Sequence, residues 1–135
     1  MTGIIQLLGR VMMALIFILA GLGKIQDPVG TAGYMQSAGL QGILLWPTIA
    51  LEVLGGLALA VGYKTRYVAF ALAIFSVAAA VVFHRNFADE MQMIMFLKNI
   101  AIAGGLMLLA VGGSTAFSMD NKRSSTNFFG TRQGK

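Results

Sequence analysis

The chain has no cysteine and little charge, and these two shortages exclude several classes of protein. Only 11% of its 135 residues are charged, and five of them are acidic, whereas soluble domains carry roughly 25% charged residues. Without cysteine the chain cannot form a disulfide, a zinc–thiolate site or a cysteine-anchored haem or iron–sulfur cluster. We therefore expect no intrinsic cofactor.

The charge that is present is mostly basic, but its distribution does not suggest a nucleic-acid-binding surface. The formal net charge is +5, and four of the ten basic residues lie within the last fourteen positions. No basic helix with interleaved aromatic residues occurs. A basic tail beside anionic lipid explains this pattern more simply. We expect the lipid bilayer as a partner and no nucleic acid.

Long apolar runs dominate the rest of the sequence. The chain is 57% hydrophobic with a mean hydropathy of +0.77, and each run can span most or all of a hydrocarbon core about 30 Å thick. The sequence predicts an all-α integral membrane protein, a four-transmembrane-helix bundle over residues 1–113 with a mostly disordered, polar basic cytoplasmic tail at 114–135. The predicted spans cover about 4–23, 43–62, 68–83 and 92–111.

The first run could instead be a cleaved signal peptide, but its flanks do not favour that reading. Residues 1–8 contain no Lys or Arg, and no A-x-A-like site follows the run. We expect a retained span. Four spans put both termini on one side, together with the loop carrying Lys64 and Arg66 and the basic tail. The positive-inside rule then predicts that both termini are cytoplasmic.

A weak internal similarity suggests a two-plus-two repeat. Residues 55–62 resemble residues 104–112 after a one-residue gap, and each segment follows a span that ends in a charged loop. Parallel repeats of this kind occur in membrane proteins. Apolar sequence of low complexity also produces such similarities by chance, so a true repeat and a chance similarity both stay open.

Glu52 is the most informative residue, because it lies near the middle of an apolar segment, Ile43 to Gly62. A charge at bilayer depth costs several kcal/mol on most scales, so it is usually paired or functional. Gly56 and Ala60 follow at intervals of four, a stripe of small residues that lets a neighbouring helix approach. The sequence predicts a helix contact on the face that carries the acid.

Two cations are candidate partners of Glu52. Lys98 lies about as deep in the fourth run as Glu52 in the second, and Arg10 enters from the other side in the first run. The pair could simply lock the bundle, since removing one partner of a buried ion pair is costly. Alternatively, Glu52 binds a ligand or a proton. Asn99 follows Lys98 and belongs to the same predicted polar core.

His84, the single histidine, is predicted at the outer interface beside Arg85. It closes a narrow stripe that begins with Ser76 and Ala80 at four-residue spacing. One histidine without cysteine is too few ligands for a typical haem or metal site, so no metal is expected. His84 can instead donate a hydrogen bond to a quinone carbonyl.

The polar positions, taken in order, resemble the DoxX family of small bacterial membrane proteins. The similarity covers about residues 5–120 and rests on the following segments: Gly9-Arg10, Gly21 to Lys24, Glu52 before Gly55-Gly56, Thr65-Arg66, Phe83-His84 and Phe96 to Asn99. The resemblance implies a four-helix, multi-pass protein of the bacterial inner (plasma) membrane. It also implies a link to membrane redox complexes, oxidative stress, or catechol and quinone resistance.

Three functions follow as hypotheses. The first is a quinone-linked accessory subunit of a redox or stress-defence system, with Glu52 and Lys98 in a pocket and His84 and Arg85 at its mouth. The second is a small proton-coupled transporter that uses Glu52. The third is a membrane scaffold for soluble redox enzymes. No self-contained catalytic site is visible, so oxidoreductase activity, membrane redox partners and homo-oligomerisation are left open.

Overall fold

A computed structural model describes residues 1–113 and 115–122 of the chain. The described residues form an all-helical bundle in which four helices are long and apolar enough to span a membrane, as the sequence predicts. The elements are α1 (Thr2–Gln26), α2 (Pro28–Ser37), a 3-10 turn (Gly42–Leu44), α3 (Leu45–Val61), α4 (Thr65–Phe83) and α5 (Glu90–Gly112).

Side-chain caps and a left-handed glycine set several of the helix ends. Asp27 accepts a hydrogen bond from the backbone N–H of Gly30 at 2.9 Å and caps α2, whose first residue is Pro28. Asp89 caps α5 through the N–H of Met91. α3 ends at Gly62, which takes the left-handed conformation (φ 71°) that a side chain would resist.

The four spanning helices associate as two pairs. α1 packs closely against α3, α4 packs closely against α5, and the two pairs meet mainly through α3 and α4. This pairing is compatible with a two-plus-two arrangement, and an internal repeat stays a prediction. The following buried apolar residues fill the centre: Ala14, Phe17, Leu59, Ala69, Leu72, Ala73, Ala103 and Leu106.

Two glycines let α1 and α3 approach closely. A Cβ added at Gly21 of α1 would lie 2.5 Å from a methyl group of Val53, and one added at Gly56 of α3 would lie 2.7 Å from Ile18. Such small residues commonly allow close contact between membrane helices. The predicted stripe beside Glu52 is therefore a helix contact, and its partner is α1. The fourth span, which carries a similar stripe of small residues, is not the partner.

The N-terminus and residues 115–122 lie at the same end of the bundle, where Gly3 approaches Ala116. We call this the inner end, because we predict it to be cytoplasmic, and the opposite end the outer end. Residues 115–122 pack against this end, and the mostly disordered tail over 114–135 stays a prediction. Residue 114 and residues 123–135 lie outside the described part of the chain.

Candidate functional site

Glu52 forms an ion pair with Lys24 of α1. The ammonium nitrogen of Lys24 lies 2.9 Å from Oε2 and 3.0 Å from Oε1 of the carboxylate, and it donates a hydrogen bond to Oε1. The side chain of Lys24 is 24% exposed, whereas Glu52 as a residue is 4% exposed. Neither Lys98 nor Arg10 is the partner, so both predicted pairings are wrong.

The geometry of the helix pair explains why Lys24 is the partner. Gly21 lies opposite Glu52 and Val53, and Lys24 follows it on the same face, one turn nearer the outer end. Gly21 is five residues from the end of α1, which places Glu52 roughly 7.5 Å from that end at helical rise. Glu52 thus lies in the outer half of the bundle, within reach of a lysine at the membrane boundary.

Lys98 was predicted to pair with Glu52 because both residues lie about equally deep in their apolar runs. Depth does not reveal which face of its helix a residue occupies. Lys98 lies on the exposed face of α5, away from Glu52. The next residue, Asn99, is turned by one helical step and lines an internal cavity, with its amide donating to the carbonyl of Met95 at 3.0 Å. Of the two adjacent residues predicted for the polar core, the structure brings only Asn99 to the site.

Arg10 belongs to the inner end. It is 2% exposed, and its guanidinium donates hydrogen bonds to the carbonyls of Ala60 (3.3 Å) and Phe117 (2.8 Å) and to the hydroxyl of Thr115. Sequence reasoning missed this role because the acceptors on residues 115 and 117 lie in the segment predicted to be mostly disordered. Arg10 fastens that segment to the bundle.

A cavity of about 420 Å³ lies beside the ion pair, in the outer half of the bundle, and its lining comes from α1, α2, α3, α4 and α5. Its volume falls within the range of small-molecule sites, and such sites are mostly apolar with a few polar groups. Apolar residues such as Phe17, Phe75 and Val82 form most of its wall. The polar side chains that line it are Lys24, Thr31, Tyr34, Thr48, Glu52, Ser76, His84 and Asn99.

The carboxylate of Glu52 is incompletely satisfied. Oε2 is buried and lies close to the ammonium of Lys24, yet no hydrogen bond to Oε2 from a described residue has acceptable geometry. A carboxylate can accept about four hydrogen bonds, and buried oxygens without one are rare in folded proteins. This atom is on a residue that lines the cavity, so a bound molecule could supply the missing donor.

His84 also lines the cavity, as the stripe from Ser76 suggested. Its Nδ1 lies 2.9 Å from the side-chain oxygen of Gln92, and in the tautomer with the proton on Nδ1 the ring donates to that oxygen. In the neutral ring, Nε2 is then an acceptor. The ring centroids of Phe83 and His84 are 6.5 Å apart, whereas the ring of Phe87 packs edge-on against Phe96 of α5.

A second, more polar cavity of about 450 Å³ lies next to the first, at the outer end. We call this second cavity the outer basin, and the first, deeper one the inner cavity. Arg85 lines the outer basin and not the inner cavity. Tyr34 of α2 and Phe83 of α4 line both cavities, and their rings stack with centroids 5.2 Å apart. Together with Val82, these two side chains form the wall that the inner cavity and the outer basin share. Tyr34 was missed because nothing in the sequence indicated that α2 covers the bundle.

Metal-binding geometry is not found in the described residues. No three His, Asp or Glu side chains among residues 1–113 and 115–122 are grouped so that they could hold a metal ion. The polar groups around the cavity are instead hydrogen-bonding groups and one ion pair. The arrangement can hold and orient a small, mostly apolar molecule.

Comparison with known proteins identifies the family. The family model described as DoxX matches residues 5–85, more than half of the chain. The chain belongs to the DoxX family. The match includes the ion pair and most of the cavity wall, and ends at the basin residue Arg85.

Two Escherichia coli (strain K12) relatives agree with this assignment. "Inner membrane protein YqjF" is 44% identical over 84% of this chain and 88% of its own length. "Inner membrane protein YphA" is 33% identical over 88% of this chain and 90% of its own length. With four candidate spans, these relatives place this DoxX protein in the inner membrane as a multi-pass protein.

A more distant relative has a name that refers to chemistry. The Bacillus subtilis (strain 168) protein named "Putative oxidoreductase CatD" is 32% identical over 76% of this chain and 81% of its own length. No solved structure matches the chain.

Proposed function

We propose that this DoxX protein is a quinone-linked accessory subunit of a membrane redox or stress-defence system. The inner cavity beside Glu52 would bind the ring of a quinone-class molecule. The single observation that carries the proposal is the mostly apolar cavity whose wall includes the buried Lys24–Glu52 ion pair. Oε2 of Glu52 lies 2.9 Å from the Lys24 ammonium but accepts no well-aligned hydrogen bond from a described residue, so a ligand in the cavity can donate one to it.

The shape and composition of the cavity support a flat aromatic ligand. Phe17, Phe75 and Phe83 supply aromatic surface, and the polar groups are confined to a few points on the wall. Small-molecule sites commonly combine these two features, apolar area for affinity and a few polar groups for orientation. Lys24, which retains further N–H donors, can bind a ring oxygen next to Glu52.

The outer basin supports a route by which the ligand reaches the cavity. It adjoins the cavity at Tyr34 and Phe83, and α2, which carries Tyr34, is a short helix anchored by Met35 against Leu45 and Ile49. Separation of the two stacked rings would connect basin and cavity. Polar ring molecules would then enter from the outer face, where Arg85 lies in the basin wall.

The chain would not perform redox chemistry alone. The residues around the cavity bind and orient, and electrons would come from the bound quinone or from a partner enzyme. The name of the relative CatD is compatible with such a role. The transporter hypothesis gains less support, because residues 115–122 pack across the inner end through Arg10.

The scaffold hypothesis also gains less support. Asp120 accepts hydrogen bonds from the backbone N–H groups of Lys64 and Thr65, at 2.8 Å each, so part of the inner loop already binds the chain's own C-terminal segment.

The proposal can be tested with a tryptophan placed in the cavity. Trp46 lines neither cavity, so a Trp46→Phe, Phe75→Trp background gives one reporter in the cavity wall. Titration of the purified protein with duroquinone and its reduced form should quench this tryptophan saturably. Glu52→Gln should weaken binding of the reduced form about tenfold or more, because its hydroxyl can donate to the carboxylate and one charged hydrogen bond contributes roughly 1.5–3 kcal/mol.

Lys98→Met is the matched control, because it removes a charge from the surface of α5 outside the cavity. It should leave the quenching curve unchanged. Linear quenching that is the same in all variants would indicate partitioning into detergent and would refute the proposal.

A further inference from the structure

The cavity wall offers more hydrogen-bond acceptors than donors. Three hydroxyl groups on the wall donate their protons to carbonyl groups of the backbone: Thr31 to Asp27 (2.8 Å), Thr48 to Leu44 (2.8 Å) and Ser76 to Leu72 (2.9 Å). A hydroxyl whose proton is committed presents only its oxygen lone pairs to a ligand. These three residues therefore act as acceptors.

Glu52 adds the strongest acceptor. Its Oε2 is buried without a hydrogen bond from any described residue, and an ionised carboxylate has no proton to donate. Its partner Lys24 keeps the acid in place, with the ammonium 2.9 Å from Oε2 and 3.0 Å from Oε1. Asn99 commits one of its two amide protons to Met95, which further reduces the donors available to a ligand.

We infer that the cavity binds a ring that carries hydroxyl groups, a diphenol or quinol, in preference to the oxidised dicarbonyl form of the same ring. This inference rests on the proposed function and specifies its ligand. A quinone has only acceptors, so it can donate neither to Oε2 of Glu52, which has only the Lys24 ammonium beside it, nor to Ser76, and these acceptors gain no hydrogen bond from it. A phenol hydroxyl donates to Glu52 and still accepts from Lys24 or Tyr34.

A matched series of ring compounds tests this inference, measured by titration calorimetry under anaerobic conditions with the full chain in lipid nanodiscs. The series comprises durohydroquinone, its mono- and dimethyl ethers, and duroquinone, which share one tetramethyl ring and differ in the number of O–H donors. We expect durohydroquinone to bind about tenfold or more tightly than duroquinone, from one charge-assisted hydrogen bond. The dimethyl ether should bind no better than duroquinone.

Two variants connect the preference to the wall. Ser76→Ala removes a buried acceptor whose proton bonds within its own helix, so the fold should survive, and it should reduce the durohydroquinone preference severalfold. Glu52→Gln replaces an acceptor by an amide and should reduce it further. Ser37→Ala is the control, since Ser37 also bonds to its own helix but lies in the outer basin. It should leave the preference unchanged.

The outcomes separate the two proposals. Saturable binding with equal affinity for both forms, or a preference for duroquinone, would overturn this inference and leave the proposed quinone-class site intact. An unchanged preference in both Ser76→Ala and Glu52→Gln would also overturn it. No saturable binding of any compound in the series would overturn the proposed function, and this inference with it.

Discussion

The two ends of the bundle each bury a charged residue, but they treat it differently. At the inner end, Arg10 is fully enclosed and donates to Ala60, Thr115 and Phe117. At the outer end, Glu52 has one cation and a cavity beside it, and one of its oxygens lacks a hydrogen bond from the described residues. The comparison is compatible with a structural lock at the inner end and the proposed binding site at the outer end.

The largest effect should come from breaking the inner lock. Arg10→Met removes the donor to three acceptors and leaves buried polar groups unpaired at a cost of about 1–3 kcal/mol each. We expect the free energy of unfolding in detergent to fall by about 3 kcal/mol or more, while folded protein binds durohydroquinone normally. A variant that unfolds like the wild type would show that residues 115–122 do not hold the inner end.

The outer ion pair should show a smaller effect on stability together with coupling. Glu52→Gln and Lys24→Met should each lower the free energy of unfolding by about 2 kcal/mol, and the double variant by less than the sum, because the two side chains touch. The same cycle with Lys98→Met should be additive. Coupling of Glu52 to Lys98 rather than to Lys24 would contradict the described pairing.

The next smaller loss of stability should come from removing Asp120, which caps the start of α4 at the inner loop. Asp120→Ala removes two hydrogen bonds to the first turn of α4, at Lys64 and Thr65, and the loss of such a cap typically costs about 1 kcal/mol. Thermal unfolding of the Asp120→Ala protein should report this loss, with ligand affinity unchanged. Weaker ligand binding in this variant would mean that the two ends are coupled, and the simple comparison would fail.

The smallest effect is expected on the surface of α5. Lys98→Met should change the free energy of unfolding by less than about 0.5 kcal/mol, as is usual for surface positions. Chemical denaturation of this variant in parallel with wild type would check the expectation. A large loss would indicate that Lys98 has a partner in the membrane, such as another helix.

The sequence predicted the fold well because hydropathy dominates it. Four long apolar runs suffice to predict four spans, and Asp27-Pro28 and Asp89 mark two helix starts. Glu52 was identified as buried and paired because a lone acid in the middle of such a run is costly without a partner or a function. These features depend on residues close together in the chain.

The partners of Glu52 and Arg10 were harder to predict, because they depend on which helix faces meet. Lys98 and Arg10 were predicted as partners of Glu52 from depth, whereas Lys24 was not, and depth alone does not fix rotation about a helix axis. The signal that could have decided was Gly21, three residues before Lys24, since small residues mark close helix contacts. No comparable signal in the short polar segment 115–122 indicated that these residues hold Arg10.

One measurement compares the two ends directly. Ser76 in the cavity and Ser118 at the inner end are each 2% exposed, and the chain has no native cysteine. The Ser76→Cys and Ser118→Cys variants therefore give single, equally buried thiols, which a small water-soluble thiol reagent can label in purified protein. We predict that the Ser76→Cys variant reacts in the native state and is protected by durohydroquinone, whereas the Ser118→Cys variant reacts only on unfolding. Equal rates in the two variants, or no protection, would contradict the account of a cavity that opens to the outer face by separation of the stacked rings and of a closed inner end.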